Sequence, residues 1–369
     1  MSETRTSVVR PAVEELVPYE PGKPVETVQR ELGLERVVKL ASNEGPFGPF
    51  PAALDAIARA AAEGNRYPDG GCFRLREALA ERHGVAFEET VVAAGADAVI
   101  GYVCLATLDP GDEIVTPWPS FPSYVLDPLK LAAVPARVPL DDGRVDVEAL
   151  LGAVTPRTKL AFLPTVNNPT GTRLTRAEVG RFLAEVPGDV LTVVDEAYHE
   201  YVDDPAFPDA IAEAVREGAN VLALRTFSKI YGLAGFRVGY GVGPAPVITA
   251  IRKVQRAFDV AAVAQEAALA SLDGAEELAR RGRVNREAMG ELDRILRERG
   301  FSPVGPAVGN FLFVDVGEDA AAMNDALLRR GVIVRPMGSF GSPTALRITA
   351  GTLDEIAFLG EQLDAVAAG

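Results

Sequence analysis

Short apolar runs alternate with longer amphipathic segments through most of the chain. The long alanine-rich segments follow helical spacing with arginine and glutamate interleaved, and helices are predicted over Pro51–Ala62, Phe73–His83 and Ala98–Leu108. Runs that indicate buried strands lie at Glu113–Thr116, Leu160–Pro164, Val190–Val194, Val221–Leu224 and Val238–Val242. Apolar strands that alternate with helices are typical of a parallel sheet covered on both faces. The pattern therefore predicts a large α/β domain with a mostly parallel sheet flanked by helices.

The C-terminal part of the chain has a different pattern. A long charged helix is predicted from about Gly274 to Arg299, and a final helix after Thr352. Strands are predicted at Phe311–Val316, Val332–Arg335 and Leu346–Thr349. These elements form an α+β unit, and the N-terminal residues, too few for a domain alone, are expected to pack against it. We predict a large domain over 46–265 and a small domain made of 1–45 and 266–369, with a small-molecule site between them.

Composition and charge exclude several function classes. The chain has 369 residues, of which 48% are hydrophobic and 24% charged, as in soluble globular proteins. No stretch is apolar enough for a membrane helix or a signal peptide, so we expect a cytoplasmic protein with no membrane partner. The formal net charge of −15 disfavours nucleic-acid binding. With two cysteines and two histidines, we expect no metal site.

The segment Arg225–Arg237, RTFSKIYGLAGFR, is the most informative one. It follows a predicted strand, and sites in open α/β sheets form outside the carboxyl ends of strands. Lys229 lies there between hydroxyl and glycine residues. A lysine among phosphate-binding groups can form a Schiff base with an aldehyde cofactor that carries a phosphate. For an isolated Ser-Lys pair, a solvated loop lysine is the more common alternative.

Three other segments place polar residues at predicted strand or helix ends. Asp195 ends a strand and could pair with a pyridinium nitrogen, or simply cap the strand. Asn168, in NNPTG, could donate a hydrogen bond to a phenolate oxygen, or belong to a turn. Ala96 and Asp97 precede a predicted helix, where backbone N–H groups favour an anion, although Asp97 could be an ordinary N-cap. Together with Lys229, these signals favour a cofactor site.

These motifs, in this order, resemble those of the fold-type I, pyridoxal-phosphate-dependent aminotransferases. The flanking motifs are most similar to those of the histidinol-phosphate aminotransferases. The resemblance extends over nearly the whole chain and includes Tyr19–Lys23, Leu40–Glu44, Arg66–Asp69, Gly309–Asn310 and Leu346–Thr349. It implies an aspartate-aminotransferase-like α/β fold, pyridoxal 5'-phosphate as cofactor, and a homodimer.

The resemblance also implies a role for each cofactor-site residue. Lys229 would hold the cofactor covalently and then move a proton at the substrate Cα, and Asp195 would pair with the ring nitrogen. Asn168 and Tyr198 would contact the phenolate oxygen. Phe121 would stack on the ring, unless it is only a core residue. The implied phosphate ligands are the backbone of Ala96 and Asp97, the hydroxyls of Thr226 and Ser228, the guanidinium of Arg237, and Tyr67 from the partner subunit.

Substrate selection would depend on Tyr19, Asn43, Arg335 and Arg347. Arg347 lies in a predicted strand, where a buried arginine needs an anionic partner. The resemblance implies that it binds the α-carboxylate of glutamate and, with Arg335, the phosphate of histidinol phosphate. A surface ion pair is the alternative for Arg335.

The implied reaction converts L-histidinol phosphate and 2-oxoglutarate into imidazole-acetol phosphate and L-glutamate, in histidine biosynthesis. An aromatic amino acid aminotransferase and a phosphothreonine decarboxylase-like lyase are the alternatives on the same scaffold. A cofactor-binding transcription regulator is disfavoured, because the residues before the large domain leave no room for a DNA-binding domain. Gly45 and Thr165-Val166 depart from the family pattern, which makes the substrate less certain than the cofactor.

Overall fold

The secondary structure is taken from a computed structural model, which describes residues 8–14, 16–17, 22–317 and 320–368. The helices are Pro11–Glu14 (α1), Val25–Leu32 (α2), Pro51–Ala61 (α3), Phe73–His83 (α4), Ala96–Thr107 (α5), Ser123–Lys130 (α6), Val147–Gly152 (α7), Arg176–Glu185 (α8), Ala245–Val254 (α9), Ala262–Ser271 (α10), Ala275–Glu298 (α11), Ala320–Arg329 (α12) and Leu353–Ala367 (α13). The strands are Val38–Lys39 (β1), Thr90–Ala93 (β2), Glu113–Trp118 (β3), Val134–Pro139 (β4), Thr158–Pro164 (β5), Leu191–Asp195 (β6), Val221–Thr226 (β7), Gly239–Val242 (β8), Ser302–Pro303 (β9), Phe311–Asp315 (β10), Val332–Ile333 (β11), Arg335–Pro336 (β12) and Ala345–Thr349 (β13).

The central sheet has seven strands in the order β2-β8-β7-β6-β5-β3-β4. Strands β3 to β7 pair in parallel, which confirms the predicted mostly parallel sheet. Strand β8 is antiparallel to both of its neighbours. Antiparallel neighbours need no helical crossover, so the chain passes from β7 to β8 through a loop. That loop contains Lys229. It leaves the carboxyl end of β7 and returns to the start of β8 beside it, because Thr226 is paired with Gly239.

Both faces of this sheet are buried because side chains alternate between the faces along each strand. On β6, Val193 belongs to a core that includes residues of α5, α6 and α9. The next residue, Val194, belongs to a core that includes residues of α3, α4, α8 and α10. The apolar runs of the sequence therefore reflect strands that are covered on two sides.

The sequence pattern does not predict β2 or β4. Strand β2 has only four residues, all of them buried. Strand β4, VPARVP, is mostly exposed or half-buried and pairs only with β3. Its two prolines are tolerated because an edge strand does not need every backbone N–H for pairing. Strand β4 lacks the uninterrupted apolar run that predicts a buried strand. Strand β2 contains a short apolar run, Val91–Ala93, that the prediction did not include.

A second sheet, β12-β13-β10-β9, is antiparallel, and β1 pairs separately with β11. The hydrophobic core beside the second sheet contains Val38 and Leu40 together with residues of α11, α12 and α13. Both ends of the described chain therefore contribute to this core. The single predicted strand Val332–Arg335 is wrong, because the chain changes partner at Val334, from β1 to β13. The proposed domain boundaries remain a prediction. Within the described ranges, no helix has the length and apolarity needed to cross a bilayer.

Candidate active site

An open cavity of about 630 Å³, a volume that includes solvent at its mouth, lies at the carboxyl ends of β5, β6 and β7. All cofactor-site residues named from the sequence line it, with the exception of Tyr67. The lining consists of Ala96, Asp97, Ile100, Phe121, Tyr124, Val166, Asn168, Asp195, Ala197, Tyr198, Thr226, Ser228, Lys229 and Arg237.

Lys229 lies in the loop between β7 and β8, and its side chain faces the cavity. Its Nζ is 3.4 Å from the carbonyl oxygen of Ser42 and 5.6 Å from the ring centre of Tyr198. Burial lowers the pKa of this amine to about 8, and the positive charge of Arg347 acts in the same direction. A substantial fraction of the amine is therefore neutral near physiological pH, as a nucleophile or a proton acceptor must be.

Asp195 is the last residue of β6, and its carboxylate is 9% exposed. The backbone N–H of Ala197 donates to Oδ1 at 2.9 Å, and the hydroxyl of Tyr124 donates to Oδ2 at 2.5 Å. Burial raises the pKa of this carboxyl, whereas the two hydrogen bonds and the nearby Lys229 lower it. A buried carboxylate of this kind is suited to pair with a cation inside the cavity.

Tyr198 is held by the N-terminal part of the chain. The side-chain amide of Asn43 donates to its hydroxyl at 2.9 Å, and Thr349 donates to the amide oxygen of Asn43 at 3.0 Å. The side-chain amide of Asn310 donates to the backbone oxygen of Asn43. Burial raises the pKa of Tyr198 to about 12, so its hydroxyl stays protonated and can donate into the cavity.

The end of the cavity at α5 is a cradle for an anion. Gly95 precedes the helix with φ of 94°, and a Cβ at this position would lie 2.7 Å from Nη2 of Arg237. Arg237 Nη1 donates to the hydroxyl of Ser228 at 3.4 Å. Helix α5 begins at Ala96, two residues before its predicted start, so the Ala96 and Asp97 N–H groups belong to its first turn. Helix N–H groups, a hydroxyl and an arginine are the ligands that phosphate prefers.

These features fit a phosphate-bearing pyridine aldehyde. The cradle matches the phosphate, the Asp195 carboxylate matches the ring nitrogen, and the Lys229 amine matches the aldehyde. Phe121 is half-buried, lines the cavity and meets Tyr124 edge to face, so it is available to a ring as well as to the core.

A second cavity adjoins the first and shares Phe121, Asn168 and Lys229 with it. The predicted substrate residues Asn43, Arg335 and Arg347 line it. Tyr19 lies outside the described residues.

Two arginines stand side by side in this second cavity. Arg335 on β12 and Arg347 on β13 are directly paired across the sheet. Arg347 donates to the side-chain oxygen of Asn168 and to the carbonyl oxygen of Ala41, both at 2.6 Å. Their role as the site for an anionic group of the substrate remains a prediction.

Tyr67 does not reach the cavity of its own chain. Its side chain is 82% exposed and stacks on Phe258, with ring centres 4.7 Å apart. The expected role of Tyr67 in a partner subunit's site remains a prediction.

The sequence pattern missed several residues that support the site. Tyr124 contacts Asp195, and Asn310 holds the segment around Asn43. Tyr124 lies three residues after Phe121, and the motif Gly309–Asn310 was noted only as part of the resemblance.

A buried ion pair holds the ends of β6 and β7 together. Glu196 and Arg225, adjacent to Asp195 and Thr226 respectively, approach to 3.0 Å. Burial raises the pKa of Glu196 to about 7, and Arg225 opposes this shift. His199 lies beside the pair, outside the cavity lining, and burial lowers its pKa to about 3. The pair therefore fixes the backbone from which the site residues extend.

The two departures from the family pattern lie in different places. Val166 lines the main cavity. A Cβ at Gly45 would lie 3.5 Å from the hydroxyl of Tyr201 and 3.7 Å from the carbonyl oxygen of Lys229. These are ordinary contact distances, so the Cβ of a larger residue at position 45 would fit beside the loop that carries Lys229.

Curated relatives resemble the chain over almost its full length. A protein of Akkermansia muciniphila named histidinol-phosphate aminotransferase is 46% identical over 341 residues, which cover 92% of this chain and 93% of the relative. A protein of Moorella thermoacetica with the same name is 43% identical over 343 residues, which cover 93% of this chain and 89% of the relative.

Solved structures share the fold. Histidinol-phosphate aminotransferase from Sinorhizobium meliloti, in complex with pyridoxal-5'-phosphate, superposes with a TM-score of 0.88 at 28% identity, covering 99% of this chain and 100% of that one. Aspartate aminotransferase from Thermus thermophilus with maleate superposes with a TM-score of 0.84 at 26% identity, covering 98% and 100%. The expected aspartate-aminotransferase-like fold is thereby confirmed. Residues 35–362 match the family described as aminotransferase class I and II, and the chain therefore belongs to that family.

Proposed function

We propose that this chain is a pyridoxal-phosphate-dependent aminotransferase that converts L-histidinol phosphate and 2-oxoglutarate into imidazole-acetol phosphate and L-glutamate, in histidine biosynthesis. The observation that carries the proposal is the arginine pair Arg335 and Arg347, which faces the same space as Lys229. The relatives named histidinol-phosphate aminotransferase support the same substrate.

The chain's own residues bind the cofactor at three points. The first turn of α5, Ser228 and Arg237 would hold its phosphate, Asp195 would pair with its ring nitrogen, and Lys229 would hold its aldehyde. When bound, the cofactor supplies an electrophilic aldehyde and a ring that withdraws electrons from the substrate Cα.

Lys229 moves the proton. With the cofactor and substrate bound, its Nζ would take the proton from the substrate Cα and return it on the cofactor side. The lowered pKa of about 8 makes this amine a base that works close to neutral pH. Tyr198 and Asn168 donate hydrogen bonds at the phenolate end of the site, and Phe121 closes one wall.

The two arginines orient the substrate. A phosphate group at the Arg335–Arg347 pair can accept hydrogen bonds from both guanidinium groups. The α-carboxylate of glutamate binds Arg347 in the second half of the reaction. One anion site thus serves two substrates that differ in the position of their negative charge.

The proposal includes a homodimer in the cytoplasm. Tyr67 is exposed in the single chain, as a residue that completes the phosphate site of a second subunit would be. Its neighbour Phe258 is 46% exposed, so an apolar surface is available for a partner.

A half-reaction tests the substrate. The cofactor-loaded protein, without any keto acid, is mixed separately with L-histidinol phosphate, L-phenylalanine or L-glutamate, and the loss of cofactor absorbance is followed. We expect fast bleaching by histidinol phosphate and glutamate, and slow bleaching by phenylalanine. A preference for phenylalanine would move the protein to the aromatic branch, and release of carbon dioxide would make it a lyase.

Arg335→Gln tests the phosphate site. L-histidinol, which lacks the phosphate, serves as the comparison substrate. We expect the variant to reduce the preference for histidinol phosphate over histidinol by roughly tenfold or more, since a charge-assisted hydrogen bond is lost. The surface variant Arg294→Gln, whose guanidinium pairs with Glu291 and Glu298, is the matched control. An unchanged preference in Arg335→Gln would contradict this substrate site.

A further inference from the structure

Tyr124 is a buried tyrosine that none of the roles above uses. It lies in the first turn of α6, is 1% exposed, and stacks on Phe162 with ring centres 4.6 Å apart. Its edge meets the ring of Phe121, which forms a wall of the cavity. This packing on two aromatic rings fixes the direction of its hydroxyl.

The hydroxyl of Tyr124 is directed to Asp195. It donates to Oδ2 at 2.5 Å, while the N–H of Ala197 donates to Oδ1 at 2.9 Å. Each carboxylate oxygen therefore has one donor from the protein. The two donors approach from different chain segments, so they fix the plane of the carboxylate as well as its position.

We propose that Tyr124 is a positioning residue that keeps Asp195 ionised and directed at the ring nitrogen of the cofactor. The inference rests on the proposed function to the extent that it requires pyridoxal phosphate in the cavity.

The physical reason is the cost of a buried carboxylate. Asp195 is almost completely buried, which disfavours its charged form, and hydrogen bonds to a carboxylate favour that form. Burial raises the pKa of the Tyr124 hydroxyl well above the usual value, so this group stays protonated and donates to the carboxylate. Without this donor, the proton shared by Asp195 and the ring nitrogen would move toward Asp195. The ring would then withdraw electrons less strongly.

Tyr124→Phe removes the hydroxyl and keeps the ring that packs on Phe162. Tyr240→Phe is the matched control, because Tyr240 is also buried and its hydroxyl contacts His83 at 3.0 Å, away from the cavity lining. Both variants and the wild type are loaded with pyridoxal phosphate labelled with ¹⁵N in the ring. The ring ¹⁵N chemical shift, the dissociation constant for the cofactor and the melting temperature are then measured.

We expect the wild type and Tyr240→Phe to give the shift of a protonated ring nitrogen. In Tyr124→Phe the shift moves toward that of neutral pyridine, and the dissociation constant rises about tenfold, the usual effect of losing a hydrogen bond to a charged group. We also expect kcat to fall while KM for the amino donor stays within about twofold, since Tyr124 does not line the Arg335–Arg347 cavity.

Other outcomes separate the two proposals. If the wild type does not bind the labelled cofactor, the proposed function itself fails. If the wild type binds it protonated and Tyr124→Phe gives the same shift, only the role of Tyr124 is overturned. Equal changes in both variants would also overturn it, because they would report general packing. If Tyr124→Phe does not fold, 3-fluorotyrosine at position 124, a stronger donor, is expected to lower the dissociation constant for the cofactor, and an unchanged or raised dissociation constant would overturn the proposal.

Discussion

The pKa of Lys229 is the property of this site that a single titration tests most directly. Burial is the largest cause of its reduction to about 8, and the charge of Arg347 is the next largest. At pH 7 a lysine with this pKa is neutral in about a tenth of the molecules, whereas an ordinary lysine, with a pKa of about 10.4, is neutral in about one molecule in 2,500. At pH 7, the neutral and therefore reactive fraction of the Lys229 amine is thus a few hundred times larger than that of an ordinary lysine.

Competitive labelling of the cofactor-free protein with a small neutral amine reagent measures this fraction. The labelling rate of the Lys229 peptide is followed by mass spectrometry from pH 6 to pH 11, with exposed Lys159 as the reference for reagent reactivity. The amine loses its proton as pH rises. We therefore expect the rate to rise about tenfold per pH unit below 8 and to level off above it.

Arg347→Gln separates the two causes. Removal of this charge is expected to move the midpoint upward, but not to the ordinary value, because the burial of Lys229 remains. Arg294→Gln on the surface is expected to leave the midpoint unchanged. A wild-type midpoint near 10.4 would refute the reasoning from burial and charge. A midpoint that does not move in Arg347→Gln would refute only the contribution of the arginine.

Two further substitutions test the geometry around the cofactor. In Gly239→Ala the new Cβ would overlap the backbone nitrogen of Ala96, so we expect a loss of about 1–3 kcal/mol in unfolding free energy and weaker cofactor binding. Gly235→Ala, which meets nothing within 4 Å, is expected to stay within about 0.5 kcal/mol, and equal thermal melts for the two would contradict the steric argument. Asn43→Gly removes the hydrogen bond to Tyr198 and tolerates the positive φ of 54° at this position. Steady-state kinetics should show a lower kcat with KM for histidinol phosphate unchanged, whereas a raised KM alone would show that Asn43 binds substrate.

The parallel part of the fold could be predicted because its strands are covered on both faces. Each such strand is a continuous apolar run, and the polar residue that follows it stands out. Asp195 and Lys229 were found in this way, and the structure places both at the same cavity. Edge strand β4 lacks the apolar signal, because burial is what produces it. The same physical rule explains why the parallel strands were predicted and β4 was not, but it does not explain the omission of β2, which is buried.

The antiparallel direction of β8 places Lys229 and Arg237 on one closed loop, which the hydrophobic periodicity of the sequence does not predict. Thr226, at the end of β7, is directly paired with Gly239, at the start of β8. The loop between them therefore returns to its starting point, and it carries both Lys229 and Arg237. A helical crossover would have separated the amine from the phosphate cradle. The eight-residue spacing of the two side chains in the sequence fits a closed loop, but only the pairing of the strands shows that the loop closes.

Asn43 shows why the contacts between distant segments must be known before a function is assigned to a side chain. The resemblance implied a substrate ligand, and Asn43 does line the cavity that holds the two arginines. Its amide nitrogen, however, donates to Tyr198 and its amide oxygen accepts from Thr349. Tyr198 is 155 residues away along the chain and Thr349 is 306, so no local pattern records either contact. Each polar atom of the side chain therefore already has a partner within the protein, and these two partners fix the orientation of the amide. Orientation of the Tyr198 hydroxyl is therefore the role that the geometry favours.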